Sequence, residues 1–377
     1  MPRHPVFPAA LGGAVVVALV SLTLLAGPLD PPAGPVAPTY KTLTEIEPRY
    51  AINATNTPGD ADSLFKITQP GSYYLTGNIT GVVGKHGVEI AATGVTIDLN
   101  GFDLLGVAGS LDGVSAAAAD LKHIAVVNGS IRSWGGDGVD LTTSLVANCR
   151  VADLLVGGNT ANGIRVGTCC TVSNCTAYQN GGYGIGTGSG STVSNCSAFQ
   201  NSSNGITTGS GCTVSICSAF ANTGSGISTT SGCTVLHCSA TANFHGIMVS
   251  SNCTVADCST QLNSIDGSVC PNGCDVRNNT CSQNGNGGDG AGVHATGGDN
   301  RIEGNNCTLS DRGIDVDASG NIILKNTCSG NTSNWEIAVG NSLGPIVVAG
   351  TNAAPITGNG PAPSTLGSTD PNANFSY

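Results

Sequence analysis

The segment CTVSNCTAYQNGGYGIGTGSGSTVSNCSAFQNSSNGITTGSG, residues 170–211, contains nearly the same text twice. Thr-Val-Ser-Asn-Cys recurs after 21 residues, and a Gly-Ile pair recurs at the same interval. Repetition at a fixed period is typical of repeat architectures, in which each unit stacks on a copy of itself. The segment therefore predicts a structural unit of about 21 residues.

Both features of this segment continue along the chain, 20 to 26 residues apart. The glycines that precede an apolar or small residue are Gly87, Gly113, Gly138, Gly163, Gly184, Gly205, Gly226, Gly246, Gly267, Gly292 and Gly313. A second, apolar series comprises Val172, Val193, Val214, Val235, Val255, Val276, Ile302 and Ile323. Two independent series with one period indicate a genuine structural repeat.

Each unit contains three short runs that alternate between apolar and polar residues. In one run, Ile164 and Val166 lie on one face of a strand and Arg165 lies on the other. No run is long enough to form a stable hairpin by itself. Parallel pairing between successive copies, about 4.8 Å apart, joins the runs into sheets around one continuous core. The sequence therefore predicts an all-β solenoid.

The repeat resembles the right-handed parallel β-helix, the pectate-lyase-like fold, and in particular exported bacterial members of unknown function. The shared motif is Val/Ile-x-x-Asn-x-apolar followed by Gly-Ile, and it is clearest at residues 302–314 and 323–328. The resemblance implies a right-handed solenoid of about 11 to 12 coils with a period near 21 residues. It is specific for the fold, which hosts unrelated chemistries.

Five segments are predicted along the chain. Residues 1–27 are a signal peptide or an N-terminal membrane anchor, because the apolar run 9–27 follows Arg3 and His4. Residues 28–45 form a Pro-rich linker, 46–80 an N-terminal cap with the first strands, 81–348 the β-helix, and 349–377 a C-terminal tail. Either reading of the leader predicts that the body is exported, to the periplasm, the cell surface or the medium.

The formal net charge is −11 at pH 7. A chain this acidic lacks the basic patch of a nucleic-acid-binding protein and is not drawn to an anionic membrane surface. Membrane contact is therefore expected only through the N-terminal segment. The sequence leaves the oligomeric state open.

Cysteine recurs in columns that follow the coil period. One position carries Cys in five successive coils and Asn in three later ones, and the resemblance implies a stacked ladder inside a turn there. Its members are Cys175, Cys196, Cys217, Cys238, Cys258, Asn279, Asn305 and Asn326. This placement favours the interpretation that the cysteines are small buried residues that pack in columns. Disulfides near Cys169/Cys170 or Cys270/Cys274, or a metal site, are the alternatives.

The outward positions of the Gly-Ile strands are the candidate ligand face. Read in coil order they are Glu89, Ser115, Asp140, Arg165, Gly186, Thr207, Ser228, Met248, Val269, His294 and Asp315. At the C-terminal end, His294, Asp315 and Asp317 are predicted to share one face on adjacent coils and to bind substrate. Asp315, Asp317 and Asp311 are candidate Ca²⁺ ligands, because carboxylate oxygens suit that ion.

A catalytic role at the same end is a weaker hypothesis. His294, Asp315 and Arg312 are the candidate groups, since a base there would abstract the proton next to a uronate carboxylate, as pectate-lyase-like enzymes do. The chain lacks the Asn-Thr-Asp, Gly-His-Gly and Arg-Ile-Lys motifs of polygalacturonase-like members and the Asp-Pro-His-Asp motif of alginate epimerases.

Other polar residues are given structural interpretations. Asp137, Asp140 and Arg165 are predicted to form a cross-strand ion pair, and His245 is interpreted as an isolated surface residue. Three functions remain open: an exported β-helix that binds a polysaccharide or acts at the cell envelope; a polysaccharide lyase or glycosidase; and a rigid structural spacer at the cell surface.

Overall fold

The computed structural model describes residues 47–117, 119–143, 145–348 and 369–377. The predicted leader and the Pro-rich linker lie outside these residues, as does most of the predicted tail. Residues Arg49–Tyr377 form one unit. Among the residues described, there is no helix with the length and apolarity needed to cross a bilayer.

Two parallel sheets run along the unit. The first, the Gly-Ile sheet, has thirteen strands. They are Ser63–Ile67, His86–Ile90, Val114–Ala116, Val139–Leu141, Ile164–Val166, Ile185–Thr187, Ile206–Thr208, Ile227–Thr229, Ile247–Met248, Ser268–Cys270, Ala291–Ala295, Arg312–Val316 and Ser333–Ile337.

The second, the wide sheet, has 26 strands and folds along a bend into two ladders. The first ladder comprises Tyr50–Ala51, Gly71–Tyr74, Val95–Asp98, Ala125–Arg132, Arg150–Gly157, Thr171–Ser173, Thr192–Ser194, Thr213–Ser215, Thr234–Leu236, Thr254–Ala256, Asp275–Arg277, Arg301–Glu303, Ile322–Leu324 and Ser342–Leu343. The second shares Ala125–Arg132 and Arg150–Gly157 and adds Ile79–Thr80, Asp103–Leu105, Thr176–Tyr178, Ser197–Phe199, Ser218–Phe220, Ser239–Thr241, Ser259–Gln261, Thr280–Ser282, Asn306–Thr308, Thr327–Ser329, Ile346–Val348 and Asn374–Ser376.

The strands pair in parallel with their counterparts in neighbouring coils, as the sequence predicts, except that Asn374–Ser376 lies between Thr327–Ser329 and Ile346–Val348. Ile164 is in register with Ile185, and Ile185 with Ile206. These inward side chains are fully buried, and they stack into one apolar core that runs through the solenoid. The predicted fold class, an all-β right-handed parallel β-helix with a period near 21 residues, is confirmed.

The stack is longer than the 11 to 12 coils expected, with about 14 turns. The strands Ser63–Ile67 and Ser333–Ile337 extend the Gly-Ile sheet at its two ends. Their registers place Leu64 beside Gly87 and Asn334 beside Gly313. The terminal coils therefore lack the glycine by which the repeat is recognised.

The recurring glycine is required by close packing between coils. A Cβ atom on Gly184 would lie 2.7 Å from the carbonyl oxygen of Gly205 and 2.7 Å from Nδ2 of Asn201. Gly226 meets the backbone of the next coil in the same way. The recurring glycine is therefore explained by the close stacking of neighbouring coils.

The predicted Cys/Asn positions form one buried column in the structure. The amide of Cys258 donates to Oδ1 of Asn279 at 2.9 Å, and the amide of Asn279 donates to Oδ1 of Asn305 at 3.0 Å. The column ends at Asn374, which accepts from the amide of Asn326 at 2.9 Å. The last residues of the predicted tail therefore return to the sheet as a strand and extend this column.

A second buried ladder of asparagines was not anticipated from the sequence. Each Nδ2 donates to Oδ1 of the next member, as from Asn180 to Asn201 at 2.9 Å and from Asn201 to Asn222 at 2.9 Å. Its members are Asn159, Asn180, Asn201, Asn222, Asn243, Asn263 and Asn284. The ladder satisfies backbone groups at the turn that leads into the Gly-Ile sheet.

Candidate functional site

The outward residues of the Gly-Ile sheet form one column along the solenoid. Its register, with Lys66 and Glu336 added at the ends, is Lys66, Glu89, Ser115, Asp140, Arg165, Gly186, Thr207, Ser228, Met248, Val269, His294, Asp315 and Glu336. The alternation that places Ile164 and Val166 inward fixes this register. Charged residues concentrate at the two ends of the column.

At the C-terminal end, Asp266 lies between two histidines. Its Oδ2 is 3.3 Å from Nδ1 of His294 and 3.3 Å from Nδ1 of His245. Its Oδ1 accepts the amide of Ala291 at 2.8 Å. Asp266 is 3% exposed, so its orientation is fixed. Asp266 was not expected at the site from the sequence, and His245 was expected to be an isolated surface residue. Both directly precede a marked glycine, where alternation does not specify the direction of the side chain.

These contacts determine the protonation states of His294 and Asp266. The hydrogen bond to Asp266 outweighs burial and raises the pKa of His294 to about 9. Burial would raise the pKa of Asp266, but the neighbouring imidazoles of His245 and His294 and the amide of Ala291 outweigh it and lower that pKa to about 2. At neutral pH, His294 is therefore an imidazolium that donates hydrogen bonds from both ring nitrogens.

Asp315 and Asp317 lie on the other side of His294. Nε2 of His294 is 3.1 Å from Oδ2 of Asp317 and 3.9 Å from Oδ2 of Asp315. Nη1 of Arg312 donates to Oδ2 of Asp315 at 2.8 Å. Burial raises the pKa of Asp315, although His294 and Arg312 act in the opposite direction. The structure thus brings together His294, Asp315, Asp317 and Arg312 on one face.

Arg312 connects this group to two further carboxylates. Its Nη1 contacts Asp289, and its Nε is 2.6 Å from Oε2 of Glu336. We call the whole assembly the His294 cluster; its members are His245, Asp266, Asp289, His294, Arg312, Asp315, Asp317 and Glu336.

Asp311 is not brought to the cluster. Its carboxylate accepts the backbone amides of Gly287 and Gly288 at 3.1 and 2.9 Å. These contacts fix the turn of the preceding coil and occupy both carboxylate oxygens. The predicted Ca²⁺ ligand set of Asp311, Asp315 and Asp317 is therefore not assembled.

The donor atoms that do converge belong to His294, Asp315 and Asp317, and they lie within 4.8 Å of one another. Ca²⁺ takes six to eight oxygen ligands, whereas this set offers two carboxylates and a nitrogen. One Asp315 oxygen is already bound to Arg312. The residues therefore do not fit Ca²⁺, and no step is assigned to it.

An exposed aromatic ring adjoins the cluster. Phe244 is 47% exposed, and its ring packs against the edge of His245, with ring centroids 4.9 Å apart. It also lines an open groove of about 390 Å³ together with Thr223, Asn243 and Ser264. The sequence contained no signal for this arrangement, because Phe244 lies in a turn outside the alternating pattern.

The remaining charged groups of the column form ion pairs. Nη1 of Arg165 lies 3.2 Å from Asp137 and 3.5 Å from Asp140, the pairing expected from the sequence. At the first coils, Nζ of Lys66 is 2.8 Å from Glu89.

Comparison with known proteins bears on the fold. The family model described as "Right handed beta helix region" matches residues 112–265. The A-module of the Azotobacter vinelandii mannuronan C-5 epimerase AlgE6 is 16% identical, with a TM-score of 0.57 over 72% of this chain and 89% of the module. The AlgE4 A-module from the same organism is 15% identical, with a TM-score of 0.51 over 72% of this chain and 90% of that module.

No curated protein sequence matches the chain. At 15 and 16% identity, the likeness to the two modules concerns the fold alone. The strand register, the family model and these two structures agree on the architecture. The chain is a right-handed parallel β-helix repeat protein with the pectate-lyase-like fold.

Proposed function

We propose that the protein is exported and binds an uncharged polysaccharide through the His294 cluster and the neighbouring ring of Phe244. One observation carries the binding proposal: an array of fixed charged side chains lies directly beside an exposed aromatic ring. Sugars combine hydroxyl groups with apolar ring faces, so they need both kinds of surface in one place.

The side chains of the cluster divide these tasks. The exposed carboxylate of Asp317, which His294 holds in place, accepts hydrogen bonds from sugar hydroxyls. The guanidinium of Arg312, held by the buried Asp315, donates to them. Phe244 offers its exposed face to a sugar ring. Because Asp266 and Asp315 are buried and already hydrogen-bonded, little side-chain order has to be created on binding.

Charge favours an uncharged ligand. Within the cluster, the two cations His294 and Arg312 face five carboxylates, those of Asp266, Asp289, Asp315, Asp317 and Glu336. The whole chain has a formal net charge of −11. A polyuronate would meet like charge at the cluster and around it.

Binding is favoured over elimination. A lyase base must accept a proton, whereas His294 keeps its proton up to about pH 9. Arg312 is held by Asp315 and Glu336 and stays charged. The exported location rests on the apolar segment 9–27 and the preceding basic residue Arg3.

Affinity electrophoresis tests the binding. The full chain is run in gels that contain, in turn, mixed-linkage β-glucan, galactomannan, xylan, dextran and polygalacturonate. Retardation is expected in at least one uncharged gel, and not in polygalacturonate. Phe244→Ala should weaken retardation about tenfold, roughly 1.4 kcal/mol. Phe220→Ala is the matched control, since Phe220 is 48% exposed on the wide sheet.

The outcomes separate the three functions. Equal mobility in all gels would overturn polysaccharide binding and favour the structural spacer. Retardation in polygalacturonate, with release of unsaturated product that absorbs ultraviolet light, would favour the lyase. Fractionation of cells that express the full chain tests export, because a cytoplasmic body would contradict it.

A further inference from the structure

A pocket of about 290 Å³ opens on the Gly-Ile sheet, far from the His294 cluster along the outward column. Its wall includes Thr142, Arg165, Tyr183, Gly186 and Thr207. We call it the Tyr183 pocket. From the sequence, Arg165, Gly186 and Thr207 were expected on the candidate ligand face, and Arg165 in an ion pair, but no pocket was expected there.

The pocket exists because one member of the outward column has no side chain. Gly186 lies between Arg165 and Thr207 in the register. A Cβ atom on Gly186 would lie 2.9 Å from Cε2 and 3.1 Å from Cδ2 of Tyr183, so this edge of the ring lies against the glycine. The ring is half-buried there.

Hydrogen-bonding capacity remains at the pocket. Both ion-pair contacts of Arg165, to Asp137 at 3.2 Å and to Asp140 at 3.5 Å, run through Nη1. Its Nε and Nη2 therefore remain for a ligand. Across the described chain, no protein group is hydrogen-bonded to the Tyr183 hydroxyl. The phenol ring of Tyr183 and the guanidinium of Arg165 thus converge on a cavity the size of a small ligand.

The charge of the pocket matches that of the His294 cluster. One arginine faces two carboxylates, Asp137 and Asp140, so the site does not attract an anionic sugar. An aromatic ring with paired donors and acceptors suits an uncharged sugar unit.

Between the pocket and the cluster, the outward column is uncharged. Five steps of the register separate Gly186 from His294. At about 4.8 Å a step, the distance along the sheet is about 24 Å. The intervening residues are Thr207, Ser228, Met248 and Val269. A polymer bound at both ends would therefore lie on an uncharged surface between them.

We infer that the Tyr183 pocket is a second contact point for the polysaccharide bound at the His294 cluster, and that the polymer lies along the outward column between them. This inference rests on the proposed function. Its consequence is a dependence on ligand length, because a chain that reaches both sites makes the second contact within one molecule. Affinity should rise at least tenfold once a fragment spans about 24 Å.

Calorimetric titration of the full chain tests the inference. The ligands are size-fractionated fragments of whichever polysaccharide retards the protein. Tyr183→Ala should lower affinity for spanning fragments about tenfold and leave short fragments unaffected. Tyr178→Ala is the matched control, because Tyr178 stacks on Phe199 of the wide sheet, with ring centroids 5.5 Å apart. Tyr183→Leu, which keeps a cover over Gly186, serves if the alanine variant does not fold.

Each outcome decides between the two proposals. If the wild type binds the polymer but Tyr183→Ala and Tyr183→Leu bind spanning fragments normally, the pocket is rejected and the proposed function stands. If no polymer is retarded, the proposed function fails first. If Phe244→Ala has no effect while Tyr183→Ala abolishes binding of every fragment, the pocket alone is the site and the role of the His294 cluster is rejected.

Discussion

The central coils, residues 170–262, and the later coils, residues 263–337, use the same sheets for different purposes. In the central coils, marked glycines recur every 20 or 21 residues, and the outward column carries Gly186, Thr207, Ser228 and Met248. In the later coils, Gly292 follows Gly267 by 25 residues, and His294 and Asp315 occupy the column. Charge therefore accumulates where the period breaks.

The additional residues of the long coil build part of the His294 cluster. The turn at residues 285–290 brings Asp289 to Arg312. Its amides at Gly287 and Gly288 bind Asp311, the residue directly before Arg312. The insertion therefore supplies one carboxylate and orients the segment that carries the guanidinium.

The early coils show the same association. Gly113 and Gly138 follow the preceding marks by 26 and 25 residues, and Asp112 and Asp137 directly precede them. In a strict register, each position stacks on the same kind of residue in the next coil, which disfavours charge. The comparison teaches that charged groups in this solenoid gather where the repeat is irregular.

The largest expected difference between the two regions is in the free energy of unfolding lost when the buried column is altered. This column is mostly Cys in the central coils and Asn in the later ones. Asn305→Ala removes two hydrogen bonds accepted from Asn279 and two donated, to the carbonyl oxygen of Val276 at 2.9 Å and to Oδ1 of Asn326 at 3.0 Å. Buried polar groups left unpaired make the expected loss about 3 kcal/mol or more. Cys217→Ala loses a thiol that donates to Ser215 at 3.2 Å, and about 1 kcal/mol is expected.

Urea unfolding followed by circular dichroism measures both variants. Asn305→Asp is a further control that keeps the shape and the acceptor but loses the donor. Equal losses for Asn305→Ala and Cys217→Ala would show that the column is held by packing alone, and the contrast between the two regions would then disappear.

The sequence predicted what the repeat dictates. Two marks per coil fix the alternation, so Glu89, Arg165, His294 and Asp315 were placed on the outward column, and the structure pairs them in that register. The second asparagine ladder, which includes Asn180 and Asn201, is equally periodic but was not identified from the sequence.

The rest depends on contacts that periodicity does not encode. Asp266 and His245 lie at the bend before a glycine, where the direction of a side chain follows from packing. Asp311 has the carboxylate of a metal ligand, but that carboxylate accepts hydrogen bonds from the backbone amides of Gly287 and Gly288. Lys66 and Glu336 belong to coils in which Leu64 and Asn334 stand at the position of the marked glycine, so the glycine series does not reveal them.

A smaller effect is expected from pH and should be confined to the later coils. The pKa of His294 is raised to about 9 in the folded state, above its unfolded value near 6.5. Its stabilisation is therefore complete below about pH 6.5 and is lost as the pH rises through 9. Because the ring is partly exposed, the expected loss is on the order of 1–2 kcal/mol.

The urea midpoint measured at pH 6, 7.5 and 9.5 gives this dependence. Asp266→Asn removes the main cause of the raised pKa, so the fall between pH 7.5 and 9.5 should flatten in this variant. Asp257→Asn, in the regular central coils, is the control and should keep the wild-type slope. An unchanged slope in Asp266→Asn would show that the pair with His294 does not stabilise the fold.

The last prediction concerns the reactivity of the thiols. It involves the smallest free-energy change, but the number of labelled cysteines can be counted directly. All sixteen cysteines lie in the described part of the chain, all are free, and only Cys169 is exposed. Burial raises the pKa of Cys270, which keeps that thiol protonated and unreactive. A thiol reagent should therefore label one cysteine in the native protein and sixteen in urea without reductant.

This count distinguishes the two regions in one experiment. Fewer than sixteen reactive thiols in urea would mean that some columns had oxidised to disulfides, as the alternative at Cys169/Cys170 or Cys270/Cys274 requires. Peptide mapping of the labelled chain would then show whether the loss falls in the central columns or in the column Cys281, Cys307 and Cys328. If all sixteen react in urea and one reacts in the native state, cysteine serves in both regions as a small buried residue, and stacking is sufficient to explain its recurrence.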